Sequence, residues 1–296
     1  MVGRAALAAL ALPFLASAAG GWNTNEPLPV PRTEVAAAVL GGEVFVAGGY
    51  LADGRSTTEV DRYLPQADRW FPAPNLPAAV NHAAAATSGG RLYVIGGNGA
   101  VRTAFVFDGA RWQTMQLPAA RVAAGAAALR GVIYVVGGRG VGGLAKNVLA
   151  YDGTGWRVLP GPTPREHLAV TAARGRIYAV AGRKAGYDTN LAVVESWAPG
   201  ERRWRRETPI PQPRGGTGAA AVGGTIVSVG GEAPSGTLRS VYAYDTAGRK
   251  WRRLADLPTP RHGLGVVALG RTVYVIGGGP QPGLHVSAAN ESLELP

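Results

Sequence analysis

Thr272-Val273-Tyr274-Val275-Ile276-Gly277-Gly278 decides the reading of this chain, because it recurs. Close copies are Val44-Phe45-Val46-Ala47-Gly48-Gly49, Leu92-Tyr93-Val94-Ile95-Gly96-Gly97 and Ile133-Tyr134-Val135-Val136-Gly137-Gly138. Weaker copies end in Ala181-Gly182 and Gly230-Gly231. Each is a β-branched and aromatic run closed by two small residues, the signature of a buried strand that ends in a tight turn. The six pairs begin at 48, 96, 137, 181, 230 and 277, so the period runs from 41 to 49 residues. Self-similarity at such a period marks a propeller or a solenoid.

Working outward from each copy, the same order of features returns. A run of small residues precedes it, as in Ala83 to Ser88 and Gly218 to Val222. A loop follows, then a strand with Tyr63, Phe105, Tyr151, Trp197 or Tyr242, then a strand with Trp70, Trp112, Trp156, Trp204 or Trp251. That is four strands per repeat and six repeats, with Pro and often Arg restarting the cycle. Small residues suit the strand nearest a propeller axis, where blades crowd together, and aromatics suit the roomier outer strands. The periodic Trp residues are therefore expected to pack rather than to stack on a ligand. The last repeat has one more strand, within Val286 to Leu295, but no Trp-bearing strand of its own. Trp22 lies 48 residues before Trp70, in step with the series, so the N-terminal strand is expected to complete the last blade and cover its edge.

Residues 1–19 read as a secretory signal peptide. Arg4 supplies the positive start, Ala5 to Ala16 an apolar run too short to span a bilayer, and Ala16-Ser17-Ala18-Ala19 the small residues of a cleavage site. Residues 20–296 form the expected propeller, and the protein is expected to be a secreted or periplasmic monomer. A hydrophobic content of 46% with 17% charged residues suits a folded chain. With no cysteine, there is no disulfide, thiol nucleophile or Cys metal site.

The doubled glycine after an aliphatic strand, the Trp that follows it and the Pro-Arg before the next repeat together resemble kelch repeats over nearly all of residues 20–296. Two departures are Ala181-Gly182 in blade four and Asn81-His82 in blade two, where the others carry Arg. The resemblance implies an all-β, six-bladed kelch-type β-propeller of four antiparallel strands per blade. It leaves function open, since this fold hosts binding modules and enzymes alike.

Strand directions put the start of each first strand and the loop after each Gly-Gly at one mouth of the channel. Arg32, Arg121, Arg165, Arg214 and Arg261 start five blades, and Arg139, Arg183 and Arg239 come from loops on the same face. A guanidinium ring there would fork carboxylates, sulfates or phosphates. The alternative is pairing with local acids such as Glu34 and Glu166. A charge of +11 favours a polyanionic ligand or partner, either an acidic carbohydrate or an acidic protein segment. Nucleic acid is not expected for an exported chain without a nucleic-acid motif.

His82, His167 and His262 open blades two, four and six, each nine residues before Arg91, Arg176 or Arg271. An approximate threefold set suggests a His₃ metal site, and otherwise ligand contacts at the mouth. As a metal site it faces a geometric objection, since zinc needs nitrogens at about 2.0–2.1 Å and inner strands stand back from the axis. The reading therefore assigns no metal and no cofactor.

The segment Gly231-Glu232-Ala233-Pro234-Ser235-Gly236-Thr237-Leu238-Arg239 resembles part of the periplasmic kelch-type sialic acid mutarotases. That resemblance would make Glu232 the acid/base and Arg239 the carboxylate clamp of a sugar isomerase. The Glu-to-Arg spacing is one residue longer here and the large insertions of those enzymes are missing. Copper chemistry of the galactose-oxidase kind needs a Cys-crosslinked Tyr, which zero cysteines forbid. No Gly-x-Ser-x-Gly elbow, phosphate loop or His-Glu-x-x-His occurs. The expectation is a binding propeller, with the mutarotase as the alternative.

Overall fold

The computed structural model describes residues 21–296. The expected signal peptide lies outside the described residues. Six four-stranded antiparallel sheets follow one another around a central channel. Blade one comprises strands 36–40, 43–47, 60–64 and 69–73, and blade two 84–88, 91–95, 103–107 and 112–116. Blade three comprises 125–129, 132–136, 147–151 and 156–160, and blade four 169–173, 176–180, 194–197 and 205–206. Blade five comprises 218–222, 225–229, 241–245 and 250–253. Blade six takes 265–269, 272–276 and 290–294 from the C-terminal end and 22–24 from the N-terminal end. The fold expected from the repeats is the fold found.

The inner strands line a channel of about 350 Å³, walled mainly by alanine and valine. Their small side chains have a direct cause. A Cβ built on Gly218 would stand 2.2 Å from Val266 Cγ2 of the next blade. The second strands, such as Val132–Val136 and Thr272–Ile276, are covered on both faces and hold the β-branched residues. The core is accordingly six wedges, one per blade interface. One wedge sets Phe45 and Val60 against Leu92, Phe105 and Phe107, and another sets Val44 and Tyr63 against Tyr274 and Ile276.

Five of the six periodic Trp residues tie each blade to the one before it. Trp22, Trp70, Trp112, Trp204 and Trp251 donate their indole N–H to the carbonyls of Ala255, Glu26, Pro74, Pro160 and Thr208. They are packing residues, as expected. Trp197, off that series, bonds Glu201 O within its own turn.

The Gly-Gly pairs serve the blade interfaces too. The second residue of each pair donates its N–H to the carbonyl at the next blade's entrance. These bonds run from Gly49 to Val80, Gly97 to Arg121, Gly138 to Arg165, Gly182 to Arg214, Gly231 to Arg261 and Gly278 to Arg32, at 2.8–2.9 Å. The first residue must let that carbonyl in. Gly96 has φ +67° and its Cβ would meet Arg121 O at 2.2 Å. Blade two departs from the others at Val80, which holds the arginine's place one residue before Asn81.

Two residues beyond each entrance a second ring forms. His82, Ala123, His167, Gly216 and Gly263 each donate N–H to the carbonyl of the equivalent residue one blade back, at 2.9–3.0 Å, and Val35 N closes the circle on Gly263 O at 3.3 Å. All six ring residues, Glu34 included, have φ between +50° and +62°. Left-handed backbone turns the N–H sideways across the interface instead of into the strand.

Closure follows the expected scheme. Trp22, Asn23 and Thr24 pair with Leu293, Ser292 and Glu291, and Leu28 is 1% exposed beneath them. Among the described residues no helix is long and apolar enough to cross a membrane. Leu28→Ala should lower the unfolding free energy by about 2–5 kcal/mol, as for other core truncations. Deleting residues 21–28 should abolish cooperative melting, and an unchanged melt after the deletion would contradict the closure.

Candidate functional site

The five entrance arginines do not line the mouth. Arg32, Arg165, Arg214 and Arg261 are 0% exposed and Arg121 is 3% exposed. Their side chains turn into their own blades. Arg165 donates to Ala181 O, Ala179 O and Thr163 O and pairs with Glu195 at 2.6 Å. Arg261 donates to Gly277 O and Ala289 O and pairs with Glu291 at 2.6 Å. Arg214 serves Gly230 O and Ser240, Arg32 serves Glu59 O and Asp61, and Arg121 serves Asn147. Burial draws the guanidinium groups of Arg121, Arg214 and Arg261 down to about 10, which leaves them charged at neutral pH. The expected guanidinium ring is thereby corrected. These arginines staple the second and third strands of their blades, and their backbone carbonyls receive the neighbouring blade.

The mouth is built from three other positions per blade. The residue after the entrance position bridges the residue after Gly-Gly, as in Thr33 with Tyr50, Asn81 with Asn98, Val122 with Arg139, Glu166 with Arg183, Gly215 with Glu232 and His262 with Gly279. The ring residue follows. These positions bring together Glu34, His82, Glu166, His167, Glu232, His262, Arg139 and Arg183, of which Glu34, His82, Arg183, Glu232 and His262 line a cavity of about 260 Å³.

The three histidines converge, though not as a threefold set. His82 and His167 are equivalent ring residues with centroids 5.0 Å apart. His262 sits one position earlier, in register with Asn81 and Glu166. The shared nine-residue spacing is a coincidence of turn alignment. Arg91 and Arg176 begin strands, whereas Arg271 lies in the turn before Thr272.

Glu34 is the hub. Its carboxylate lies 3.4 Å from His82 Nε2 and 3.8 Å from His262 Nε2. Burial pushes its carboxyl up, but His82, His167, His262 and Arg183 outweigh that and hold it at about 2. Burial holds the His82 imidazole below its usual range, against the opposing pull of Glu34. Arg183 pairs with Glu232 and stands 3.7 Å from Glu166, while the half-exposed Arg139 pairs with Glu166 at 3.3 Å. Three carboxylates thus face two guanidinium groups, and the mouth is not the anion attractor that the sequence suggested.

Arg239 stays outside this cluster. It is exposed and bonds Pro258 O at 3.3 Å, whereas Glu232 is taken by Arg183 and lies 3.8 Å from His262. The Glu232 and Arg239 pair expected of a mutarotase is not assembled.

The positive charge sits elsewhere. Arg202-Arg203-Trp204-Arg205-Arg206 and Arg249-Lys250-Trp251-Arg252-Arg253 form the last turns and outer strands of blades four and five, with every Arg and Lys exposed. Strand register puts these turns at the end away from the mouth, since Thr225 pairs Asp245 there while Val229 pairs Val241 at the mouth. Arg249 Nη2 donates to Arg206 O at 2.8 Å across the interface. The buried Glu207 takes Arg205 at 2.8 Å and Arg249 at 3.0 Å, and Arg253 pairs with Asp256. Among the described residues, Arg202, Arg203, Arg206, Lys250 and Arg252 have no carboxylate partner. The sequence signal was legible as two near-identical Arg-Trp-Arg-Arg motifs, which the mouth-centred reading passed over.

Six four-stranded blades, Gly-Gly closures and entrance arginines are the marks of one class of propeller, and comparison with known proteins agrees. Residues 81–279 match the model of the KLHDC2/KLHL20/DRC7 Kelch-repeats domain, and residues 31–77 match the Kelch motif. The chain belongs to the kelch-repeat family. It is similar to Kelch-like protein terF of Aspergillus terreus, 37% identical over 91 residues that cover 28% of this chain and 20% of that protein. It is also similar to Kelch repeat protein M-T8 of Myxoma virus, 32% identical over 79 residues covering 27% and 15%. Human Kelch-like protein 35 is 44% identical over 69 residues covering 22% and 12%. The matched stretches therefore span a fifth or less of those relatives. Kelch propellers are generally protein-interaction domains.

Arg165→Ala should cost about 3–5 kcal/mol in urea unfolding, because Glu195 is left buried without its partner. Arg139→Ala, which removes a half-exposed ion pair, should cost about 0–1 kcal/mol. For Glu207, burial pushes the carboxyl up, but hydrogen bonds from Ser196, Arg205 and Tyr244 hold it below its ordinary 4.5. A depressed folded value contributes stability above pH 4.5 that is lost as pH falls through the folded value. Glu207→Gln should flatten that acid limb, and an unchanged slope would remove Glu207 from the account.

Proposed function

We propose that this propeller is a protein-interaction module that binds an acidic protein segment along the outer edges of blades four and five. The observation that carries the reading is the run of eight exposed Arg and Lys residues there, five without a carboxylate partner. Blunting the sheet edge against aggregation does not require so much charge. The outer strand of blade two, Trp112–Gln116, has no charged residue, and that of blade three, Trp156–Pro160, has one. Exposed arginines in a row offer forked donors that match carboxylates, and their field raises the association rate of an acidic segment. The reading also places the protein outside the cytoplasm, on the strength of residues 1–19, and N-terminal sequencing of protein from its native source checks that cleavage follows Ala18 or Ala19.

A fluorescent poly-glutamate peptide titrated by anisotropy tests the surface. The expected result is saturable binding that weakens as salt rises from 50 to 300 mM, because exposed charges are screened. Arg203→Glu/Arg206→Glu/Arg252→Glu should weaken it by about tenfold or more, equivalent to about 1.4 kcal/mol. Arg55→Glu, on the mouth side of blade one, should leave it unchanged. Binding that survives the triple reversal, or that occurs with polygalacturonate and not with the peptide, would overturn the reading.

A further inference from the structure

His82 and His262 present an electrostatic conflict at the mouth. His82 Nδ1 lies 2.5 Å from Asn81 Oδ1, which already accepts from Asn98 Nδ2 and so acts as an acceptor. The His82 Nδ1 therefore carries a proton, and in the neutral ring the lone pair of Nε2 faces Glu34 at 3.4 Å. His262 repeats the arrangement. Its Nδ1 lies 3.1 Å from the carbonyl of Gly279, which can only accept, so in the neutral ring its Nε2 lone pair faces Glu34 and Glu232, each at 3.8 Å. In their neutral forms both imidazoles thus direct an Nε2 electron pair at carboxylate oxygens.

His167 adds the independent observation. Its side chain is 9% exposed, and neither ring nitrogen has a hydrogen-bond partner. A buried imidazole with both nitrogens unsatisfied is costly unless something at the site takes them up. Ligand atoms of Glu34, His82 and His167 lie within 4.8 Å of one another.

We propose that Glu34, His82 and His167 form a binding site for one divalent transition-metal ion of the zinc class, with a fourth coordination position open to the mouth cavity. Two imidazoles and a carboxylate are a donor set that such ions take, with a water or a ligand completing the tetrahedron. Bonds of about 2.0–2.1 Å place tetrahedral donors about 3.3 Å apart. Glu34 and His82 stand at 3.4 Å, close to that separation, and His167 closes in from within 4.8 Å by a side-chain adjustment. An ion there turns the conflict at His82 into coordination, because both electron pairs then point at a cation.

The surroundings fit a coordinating role. Metal-bound imidazoles usually donate their second N–H to a carbonyl or carboxylate, which fixes ring and tautomer. Asn81 accepts from His82 in this way, and Glu166 Oε1, 3.4 Å from His167 Nδ1 without a hydrogen bond at present, is placed to take up that nitrogen when Nε2 ligates. Arg183 is held by Glu232, so its charge is offset beside the site. His262 closes the cluster from blade six without being one of the three ligands. The geometric objection raised by the strand positions does not hold, because the left-handed ring residues project His82 and His167 inward from the strand starts. This inference is independent of the basic edge, which lies at the other end of the blades.

The test uses the full chain, stripped with EDTA and dialysed against Zn²⁺ or Co²⁺. The expected result is one equivalent of bound metal per chain, a rise in melting temperature, and visible Co²⁺ absorption of tetrahedral intensity. Glu34→Gln and His167→Asn should each weaken Zn²⁺ binding by at least about a hundredfold, and Asn81→Ala by about 10–100-fold through lost orientation of His82. His285→Ala, the exposed histidine outside the cluster, should change nothing. Metal-free melting of every variant shows whether it folds, and Asn81→Ala keeps the test decisive if a ligand variant does not. Less than a tenth of an equivalent bound, or binding that survives Glu34→Gln together with His167→Asn, would overturn the proposal. So would binding lost on His285→Ala.

Discussion

The structure depends on a carbonyl. At the entrance of each blade the backbone oxygen of Arg32, Val80, Arg121, Arg165, Arg214 or Arg261 accepts an N–H from the second residue of the preceding blade's Gly-Gly pair. Six such bonds close a circle, and the left-handed ring two residues on closes a second one beside it. An unmade buried bond of this kind costs about 1–3 kcal/mol, so no blade can shift without disturbing its neighbours on both sides. The rest of the repeat answers this constraint. The first small residue of each pair admits the carbonyl, and the arginine side chain locks the strands behind it.

Rigid backbone at the mouth separates holding from binding. Since the two rings use main-chain atoms, the side chains at the ring and bridge positions are free to differ from blade to blade, and here they do. Blade three places Ala123 where blade four places His167, and blade five places Gly216 where blade one places Glu34. Chemistry is therefore concentrated at one end of the channel, and the channel below is walled mainly by alanine and valine. Positive charge is carried at the other end of the blades, on edges whose Trp residues are anchored to the preceding blade. One framework thus presents a histidine and carboxylate cluster and a basic edge on separate surfaces.

The period, the Gly-Gly pairs and the Trp series were legible in the sequence because each reflects backbone geometry that repeats with the chain. The closure by Trp22 was legible for the same reason. The role of the arginines was not. Position in a repeat fixes where a Cα lies, but Arg165 has a flexible stem, and only the fold shows that it reaches Ala179 O and Glu195 rather than the channel. The histidines met a subtler limit. Counting nine residues to the next Arg made His262 equivalent to His167, whereas strand pairing places it beside Glu166's position. The turns are all two residues long, but Arg271 occupies the second turn position whereas Arg91 and Arg176 begin strands, so counting to the next Arg misplaces His262 by one residue. Glu34 was named only as a partner for arginine, because nothing in the sequence marks a lone acid at a strand start as the hub of three histidines.

Native-state hydrogen exchange at the amides of His82, Ala123, His167, Gly216 and Gly263 tests the central claim most directly. These N–H groups lie at the mouth in irregular backbone, which would ordinarily exchange by local fluctuation. If the inter-blade circle is the constraint on which the fold depends, they exchange only through global unfolding, with protection equal to that of the second strands. Exchange through local opening at those five amides, while the second strands stay protected, would contradict the account.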